Sequence, residues 1–181
     1  MILAAHYLEE ILRQMRGQKR LAEGALQQVS EEEFFRELDP ESNSIAIIVQ
    51  HIAGNMRSRF TDFLTTDGEK PDRNRDQEFE LPPNATRKDF LQAWERGWKT
   101  VFDTVAALKP EDVEKTVTIS SEPRTVLQAL NRALAHYACH VGQIVYLAKY
   151  FRSDNWKTLS VPRGKTDEFN ASMQAKHGAK I

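Results

Sequence analysis

The chain has 181 residues and a mass of 20.8 kDa, which suits one domain with a substantial core and is short for two. Its 25 basic and 26 acidic residues give a net charge of -1, so no general positive field attracts nucleic acid. A single cysteine excludes an internal disulfide, and neither a secretory leader nor a run of about 20 apolar residues is evident. These features predict a soluble cytoplasmic protein that binds neither nucleic acid nor membranes.

Four segments show the three- and four-residue spacing of apolar residues that is typical of amphipathic helices. The first covers about residues 2–28. Ser30 and Glu33 then match a capping box, which predicts a short helical turn. The second long helix is expected over about residues 44–65.

A charged, proline-containing segment without helical spacing follows, from Thr66 to Ala85. This excursion loop is longer than most loops in compact domains, which indicates a functional or packed segment. Beyond it, Thr86 and Asp89 predict the cap of a third long helix that reaches Pro110.

Residues 114–123 alternate apolar and polar side chains, which predicts a short extended stretch or a hairpin. Pro123 is expected at or just before the start of the fourth helix, which runs to about Phe151. We expect the first part of the remaining tail to dock on the helices and the chain from about residue 171 to fray. The elements predict one all-α domain over residues 1–181, a four-helix bundle whose topology the pattern leaves open.

Two histidines, His136 and His140, lie four residues apart in the fourth predicted helix. This spacing places both rings on one helix face, about 6 Å apart along the axis, so both can reach one ion. The second helix offers His51, in the middle of the apolar run IIVQHIAGN. Three neutral imidazoles would bind Zn²⁺, Ni²⁺ or Fe²⁺ and leave a position for water or substrate. The alternative is that each ring is a hydrogen-bonded core residue.

The surroundings of the histidine pair restrict the chemistry. No glutamate lies between His136 and His140, which excludes a zincin-type protease. No carboxylate lies at helical spacing from the histidines, so a metal-hydroxide hydrolase would need Asp76 or Glu78 from the excursion loop as proton acceptor. Cys139 points about 80° away from the pair and is interpreted as a small core residue. The sequence singles out no catalytic side chain.

Several polar side chains are candidates for supporting roles near the predicted site. Asn55 and Gln143 each lie one helical turn from a histidine and could hydrogen-bond the ligands or orient a substrate. Arg57, Arg59 and Arg132 could steer an anionic substrate, with ordinary surface charge as the alternative.

The stretches HIAGNMRSRFTDFLTTDGEKPDRNRD, HYACHVGQIVYLAK and LSVPRGKTDEFN resemble a bacterial subfamily of the DinB-like superfamily, which includes YfiT-type proteins and bacillithiol S-transferases. The resemblance extends to about Asn170. It implies a four-helix bundle in up-down-down-up order, with a long crossover loop after the second helix. It also implies a divalent metal held by His51, His136 and His140, and a homodimer.

The resemblance further implies a cytoplasmic enzyme in which the metal activates a low-molecular-weight thiol for transfer to an electrophile. The predicted function is therefore that of a metal-dependent thiol S-transferase, with Asn55, Gln143 and Arg59 beside the ligands or the substrate. Two alternatives are a metal-hydroxide hydrolase and a dimeric stress-response module that binds metal without turnover. A wide apolar face left exposed around Trp94 and Trp98 would favour the module.

Overall fold

The computed structural model describes residues 2–178, which form six α-helices and one β-hairpin. The elements in chain order are α1 (Ile2–Leu26), α2 (Glu31–Phe35), α3 (Ile45–Phe60), α4 (Arg87–Ala107), β1 (Thr116–Ile119), β2 (Glu122–Thr125), α5 (Val126–Arg152) and α6 (Thr166–His177). The predicted all-α class is thereby confirmed. Over the same residues, no helix has both the length and the apolar character that crossing a membrane requires.

The four long helices α1, α3, α4 and α5 bury their apolar sides in one hydrophobic core. The most extensive contacts join α1 to α5 and α3 to α4, and smaller ones join α3 to α5 and α1 to α4. Every long helix contributes fully buried large side chains to the core, among them Met15, Ile52, Trp94 and Tyr137. The up-down-down-up order stays a prediction.

The tryptophans of α4 belong to this core. Trp94 and Trp98 are 1% and 0% exposed, and their rings meet edge to face with centroids 5.6 Å apart. α4 therefore presents no exposed apolar face centred on them. Such a face would have favoured a binding module without turnover.

Helix starts follow the predicted caps, whereas two boundaries differ from the prediction. The Ser30 capping box is present: Ser30 Oγ accepts from the Glu33 N–H at 3.1 Å, and a Glu33 carboxylate oxygen accepts from the Ser30 N–H at 2.7 Å. α3 ends at Phe60, earlier than predicted, because Asp62 adopts a left-handed conformation (φ 48°) that a helix cannot continue.

Pro123 is predicted at or just before the start of the fourth long helix, and it lies three residues before that helix begins. Pro123 lies in β2, where it pairs with Thr118 of β1, and a two-stranded ribbon consists of edge strands that accommodate a proline. α5 instead begins at Val126 with Thr125 as its cap: Thr125 Oγ1 accepts from the Gln128 N–H at 3.2 Å.

The tail after α5 forms one further helix that the sequence does not predict. Trp156 and Leu159 pack against the core, as expected for the first part of the tail. α6 follows, and all of its residues are exposed. Fraying is predicted from about residue 171, whereas α6 continues to His177; residues 179–181, like Met1, lie outside the described residues.

The excursion loop is attached to the β-hairpin. The Asp67 carboxylate accepts from the backbone N–H groups of Ser120 at 2.8 Å and Ser121 at 2.7 Å, and the Gly68 N–H donates to the Thr118 carbonyl at 2.7 Å. Ser120 and Ser121 form the hairpin turn with positive φ angles of 52° and 64°. These hydrogen bonds therefore attach the start of the loop to the tip of the hairpin.

We expect the variant Asp67→Ala to lower the free energy of unfolding by about 1–2 kcal/mol, because two N–H groups of the turn lose their charged acceptor. Urea denaturation monitored by circular dichroism measures the change. Asp76→Ala is the matched control, since Asp76 lies exposed in the same loop and its carboxylate accepts no hydrogen bond from residues 2–178. Equal stability of the two variants would contradict this role of Asp67.

Candidate metal centre

Three histidines from two distant parts of the chain meet between α3 and α5. The Nε2 atom of His51 lies 3.3 Å from Nε2 of His136, although 85 positions separate the two residues. The Nε2 atom of His140 lies 3.1 Å from the same atom of His136. One ring nitrogen from each residue lies within 4.8 Å of the other two, so this histidine triad could hold a metal ion.

Two of the distances between the nitrogens, 3.3 and 3.1 Å, are close to those expected around one common ion. Ligand nitrogens at about 2.0–2.1 Å from a tetrahedral Zn²⁺ lie about 3.3–3.4 Å apart. His51 is buried, while His136 and His140 are half-buried and leave the triad reachable from solvent. The arrangement therefore combines three neutral ligands with access for a fourth.

The outer ring nitrogens determine where the protons lie. Nδ1 of His51 is 2.9 Å from a carboxylate oxygen of Glu78, which can only accept, so a neutral His51 carries its proton on Nδ1. Nδ1 of His140 is 2.8 Å from Oε1 of Gln143 and carries its proton for the same reason. Two unprotonated Nε2 atoms thus face Nε2 of His136. At most one hydrogen can lie among these three acceptors, whereas a cation satisfies all of them.

Glu78 of the excursion loop is the group that fixes His51. The Arg73 guanidinium donates from Nε and Nη2 to the two Glu78 oxygens, at 2.8 Å each, and the Arg73 side chain is only 2% exposed. Burial raises the pKa of Glu78, but hydrogen bonds from Arg73 and His51 outweigh burial, so the pKa lies below its usual value. Glu78 is therefore ionised at neutral pH and orients the His51 ring.

α3 itself shapes the place that Glu78 occupies. A Cβ atom at Gly54 would lie 2.3 Å from Oε1 of Glu78, so only glycine leaves room for the carboxylate. Nε2 of Gln50 lies 3.1, 3.0 and 2.8 Å from the backbone carbonyl oxygens of Gln77, Glu78 and Glu80, to which it can donate. This stretch of the loop is thus held against α3 by the residue directly before His51 and by the residue about one turn after it.

A hydrolase would require Asp76 or Glu78 as its proton acceptor, and of these two loop carboxylates the structure brings only Glu78 to the site. Its oxygens contact Nδ1 of His51 and the Arg73 guanidinium, on the far side of the ring from the Nε2 atoms. Asp76 is exposed and makes no hydrogen bond through its side chain within residues 2–178. Neither carboxylate is placed to take a proton at the open side of the triad.

The other predicted site residues occupy different positions. Gln143 contacts His140, as described above. Asn55 is buried and its Oδ1 accepts from the Tyr137 hydroxyl at 3.2 Å, so Asn55 joins α3 to α5 rather than contacting a histidine. Arg59 contacts none of the three histidines: its side chain is 10% exposed and pairs with Glu69 at 2.9 Å beneath the excursion loop.

Three further residues that the sequence analysis singles out, Arg57, Arg132 and Cys139, lie on the surface. Arg132 is exposed one turn before His136, and Arg57 is exposed and lies 3.2 Å from Asp72. The interpretation of Cys139 as a core residue is wrong, because Cys139 is exposed on the outer side of α5. The inner side of that helix is occupied by larger apolar residues such as Tyr137 and Val141.

Protonation competes with metal binding at the triad. Burial and, to a smaller degree, the neighbouring His140 and His51 rings lower the pKa of His136 from 6.5 to about 3. Burial also lowers the pKa of His140. The folded metal-free protein therefore binds fewer protons than the unfolded chain once the pH falls below about 6.5.

We expect the metal-free protein to lose stability as the pH falls from about 6.5 toward 3. Above about pH 6.5, His136 should make no contribution to the pH dependence of stability. Urea denaturation at about pH 7.5 and pH 5 measures the loss. The variant His136→Asn, which keeps a polar side chain but cannot titrate, should lose less between these two pH values. His6→Asn, on the exposed side of α1, serves as the control and should behave like the unsubstituted protein. An identical pH dependence for His136→Asn would contradict the assignment.

The fold and the site together define an all-α protein with a histidine triad that could hold a metal ion. Residues 3–165 match the sequence profile of a family described as "Protein of unknown function (DUF1572)", and the chain belongs to that family. Comparisons with curated proteins and with solved structures found no match. The family description contains no activity, so the function must be argued from the site.

Proposed function

We propose that the protein is a DinB-like metal-dependent thiol S-transferase, built as an up-down-down-up four-helix bundle with Zn²⁺, Ni²⁺ or Fe²⁺ at His51, His136 and His140. One observation carries the metal site: two Nε2 atoms, deprived of their protons by Glu78 and Gln143, face a third Nε2 within 3.3 Å. A cluster of acceptors in a half-buried position calls for a cation.

The ligand set favours thiol transfer over hydrolysis. A divalent cation held by three neutral imidazoles would keep its charge and lower the pKa of a coordinated thiol from about 8.5. The chain contributes fixed ring orientations, through Glu78 and Gln143, and an approach from solvent past His136 and His140. A hydrolase would need a free proton acceptor on this side, and Glu78 is engaged by Arg73 and His51.

The proposed partners are a small-molecule thiol and an electrophile, and the proposed setting is a cytoplasmic homodimer. The transfer joins the thiol sulfur to the electrophilic carbon, while the thiol proton and the leaving group are released to solvent. The dimer, the location and the identity of the thiol rest on the resemblance to the DinB-like superfamily.

A conjugation assay tests the activity. The metal-loaded protein is mixed with glutathione or bacillithiol and 1-chloro-2,4-dinitrobenzene, and formation of the thioether is followed by absorbance. We expect turnover above the uncatalysed rate and a loss of at least about a hundredfold in His136→Ala, with His6→Ala unchanged. Activity that His136→Ala leaves intact would defeat the proposal. Tight metal binding without turnover over a broad set of electrophiles would favour the binding module instead.

A further inference from the structure

A cavity separate from the metal centre lies between α3, α4 and the excursion loop, and none of the triad histidines lines it. Its volume of about 630 Å³ is within the range of small-molecule sites. The two helices contribute small residues to its wall, namely Ala53, Gly54, Ala93 and Gly97, and Phe90 adds an aromatic ring. The helical wall therefore contains an apolar stretch, which polar residues of the same helices, among them Gln50, Asp89 and Thr100, border.

The acidic side chains around this cavity are already engaged. Glu78 is held by its bonds within the metal centre, as described above. A carboxylate oxygen of Asp89 accepts from the Thr86 N–H at 2.9 Å and from its hydroxyl at 2.7 Å, which caps α4. Asp72 lies 3.2 Å from Arg57, and both side chains are well exposed to solvent. Glu78 and Asp89 are therefore committed to partners within the protein, whereas the single exposed contact with Arg57 holds Asp72 as loosely as it holds Arg57.

The guanidinium groups around the cavity are less committed. Among the partners that residues 2–178 offer, only Asp72 engages Arg57, through Nη1, so Nε and Nη2 of this α3 residue have no partner in that part of the chain. Arg96 lines the cavity from α4, and its side chain makes no hydrogen bond or ion pair with any of residues 2–178. Arg73 is buried and committed to Glu78. Two available guanidinium groups, one on each helix, thus accompany an apolar wall.

We propose that this cavity binds an amphipathic carboxylate, a small molecule with a flat apolar body and one carboxylate group. The body would lie on the small residues of α3 and α4, where apolar surface is removed from water. The carboxylate would be received by Arg57 and Arg96, because a guanidinium offers paired N–H donors that match a carboxylate. A bare inorganic anion would leave the apolar wall uncovered, so it is expected to bind less tightly.

Titration of the full-length metal-free protein with 2-naphthoate tests the site, with amide resonances of Gly54 and Gly97 as reporters in two-dimensional NMR. We expect saturable shifts at both glycines and at least about tenfold weaker binding of the neutral analogue 2-naphthamide. The double variant Arg57→Gln/Arg96→Gln should lose at least about tenfold in affinity for the acid. Arg20→Gln, an exposed arginine of α1 outside the cavity, should lose nothing.

Three results would overturn the proposal: no shift at Gly54 and Gly97 at millimolar 2-naphthoate, equal binding of the amide and the acid, or unchanged affinity in the double variant. Ala93→Phe provides a second variant that leaves both arginines in place. It fills part of the cavity and should abolish binding of the acid. The outcome is separate from the metal centre, because His136→Ala should bind 2-naphthoate as the unsubstituted protein does.

Discussion

Replacing His51 by alanine should weaken zinc binding by about a hundredfold or more. Zinc sites with four protein ligands contribute about 10–16 kcal/mol, or roughly 3 kcal/mol for each ligand, and about 1.4 kcal/mol corresponds to a tenfold change in affinity. His51 donates one of three nitrogens that lie within 4.8 Å of one another. Competition with a chromophoric chelator measures the affinity of the purified protein.

A second variant, His140→Ala, distinguishes loss of a metal ligand from loss of stability. His51→Ala also removes a partner of the buried Glu78, whereas His140 is half-buried and, within residues 2–178, its ring nitrogens have hydrogen-bond partners only in Gln143 and His136. His140→Ala should therefore lose zinc affinity to a similar degree with little change in unfolding. His6→Ala is the control. Zinc affinity that both ligand variants retain would contradict a shared site.

Glu78→Ala should be the most destabilising single substitution near the site, at about 3 kcal/mol or more. It leaves the Arg73 guanidinium, 2% exposed, without its bidentate partner, and an uncompensated buried charge costs about 3–5 kcal/mol. Glu69 lies 3.4 Å from Arg73 and compensates part of the loss, so the lower end of that range applies. Urea denaturation measures the change, with Asp76→Ala as the control in the same loop.

Glu78→Gln separates stability from metal binding. Glutamine keeps the shape and can still accept from Nδ1 of His51, but it loses the charge that raises the basicity of the ring. We expect zinc affinity to fall about 10- to 100-fold, with a smaller loss of stability than in Glu78→Ala. The pair Glu78→Leu/Arg73→Leu should recover part of the stability, because it removes both charges together. If Glu78→Ala were as stable as Asp76→Ala, this account of the loop would be contradicted.

The helices are largely readable from the sequence, because apolar spacing and capping residues act over a few positions. The helix boundaries shift by a few residues where a turn or strand competes with the pattern, as at Asp62 after α3 and at Pro123 in β2. α6 was not predicted, because its residues carry weak apolar spacing and none of them is buried.

The triad is also readable, since a pair of histidines four apart and a third in an apolar run are uncommon placements. Its support is not. The excursion loop contains six acidic residues without periodicity, and nothing local distinguishes Glu78 from the other five. Gly54, three positions after His51 in an apolar helix, is the one available signal of a close approach.

The positions of Arg59 and Cys139 could not be predicted from helical direction alone. Arg59 is buried because the excursion loop folds back over the end of α3, which a sequence pattern does not reveal. Cys139 is exposed because the face of α5 opposite the core carries small residues as well as polar ones. In both cases the tertiary arrangement of neighbouring segments determines burial.

X-ray absorption spectroscopy of the zinc-loaded protein, purified without a histidine tag, tests the metal centre most directly. We expect one equivalent of zinc with three imidazole nitrogens and one further light-atom ligand at about 2.0–2.1 Å, and one imidazole fewer in His140→Ala. Sulfur scattering at about 2.3 Å, which would indicate the exposed Cys139, or a spectrum that His140→Ala leaves unchanged, would contradict a centre formed by the three histidines.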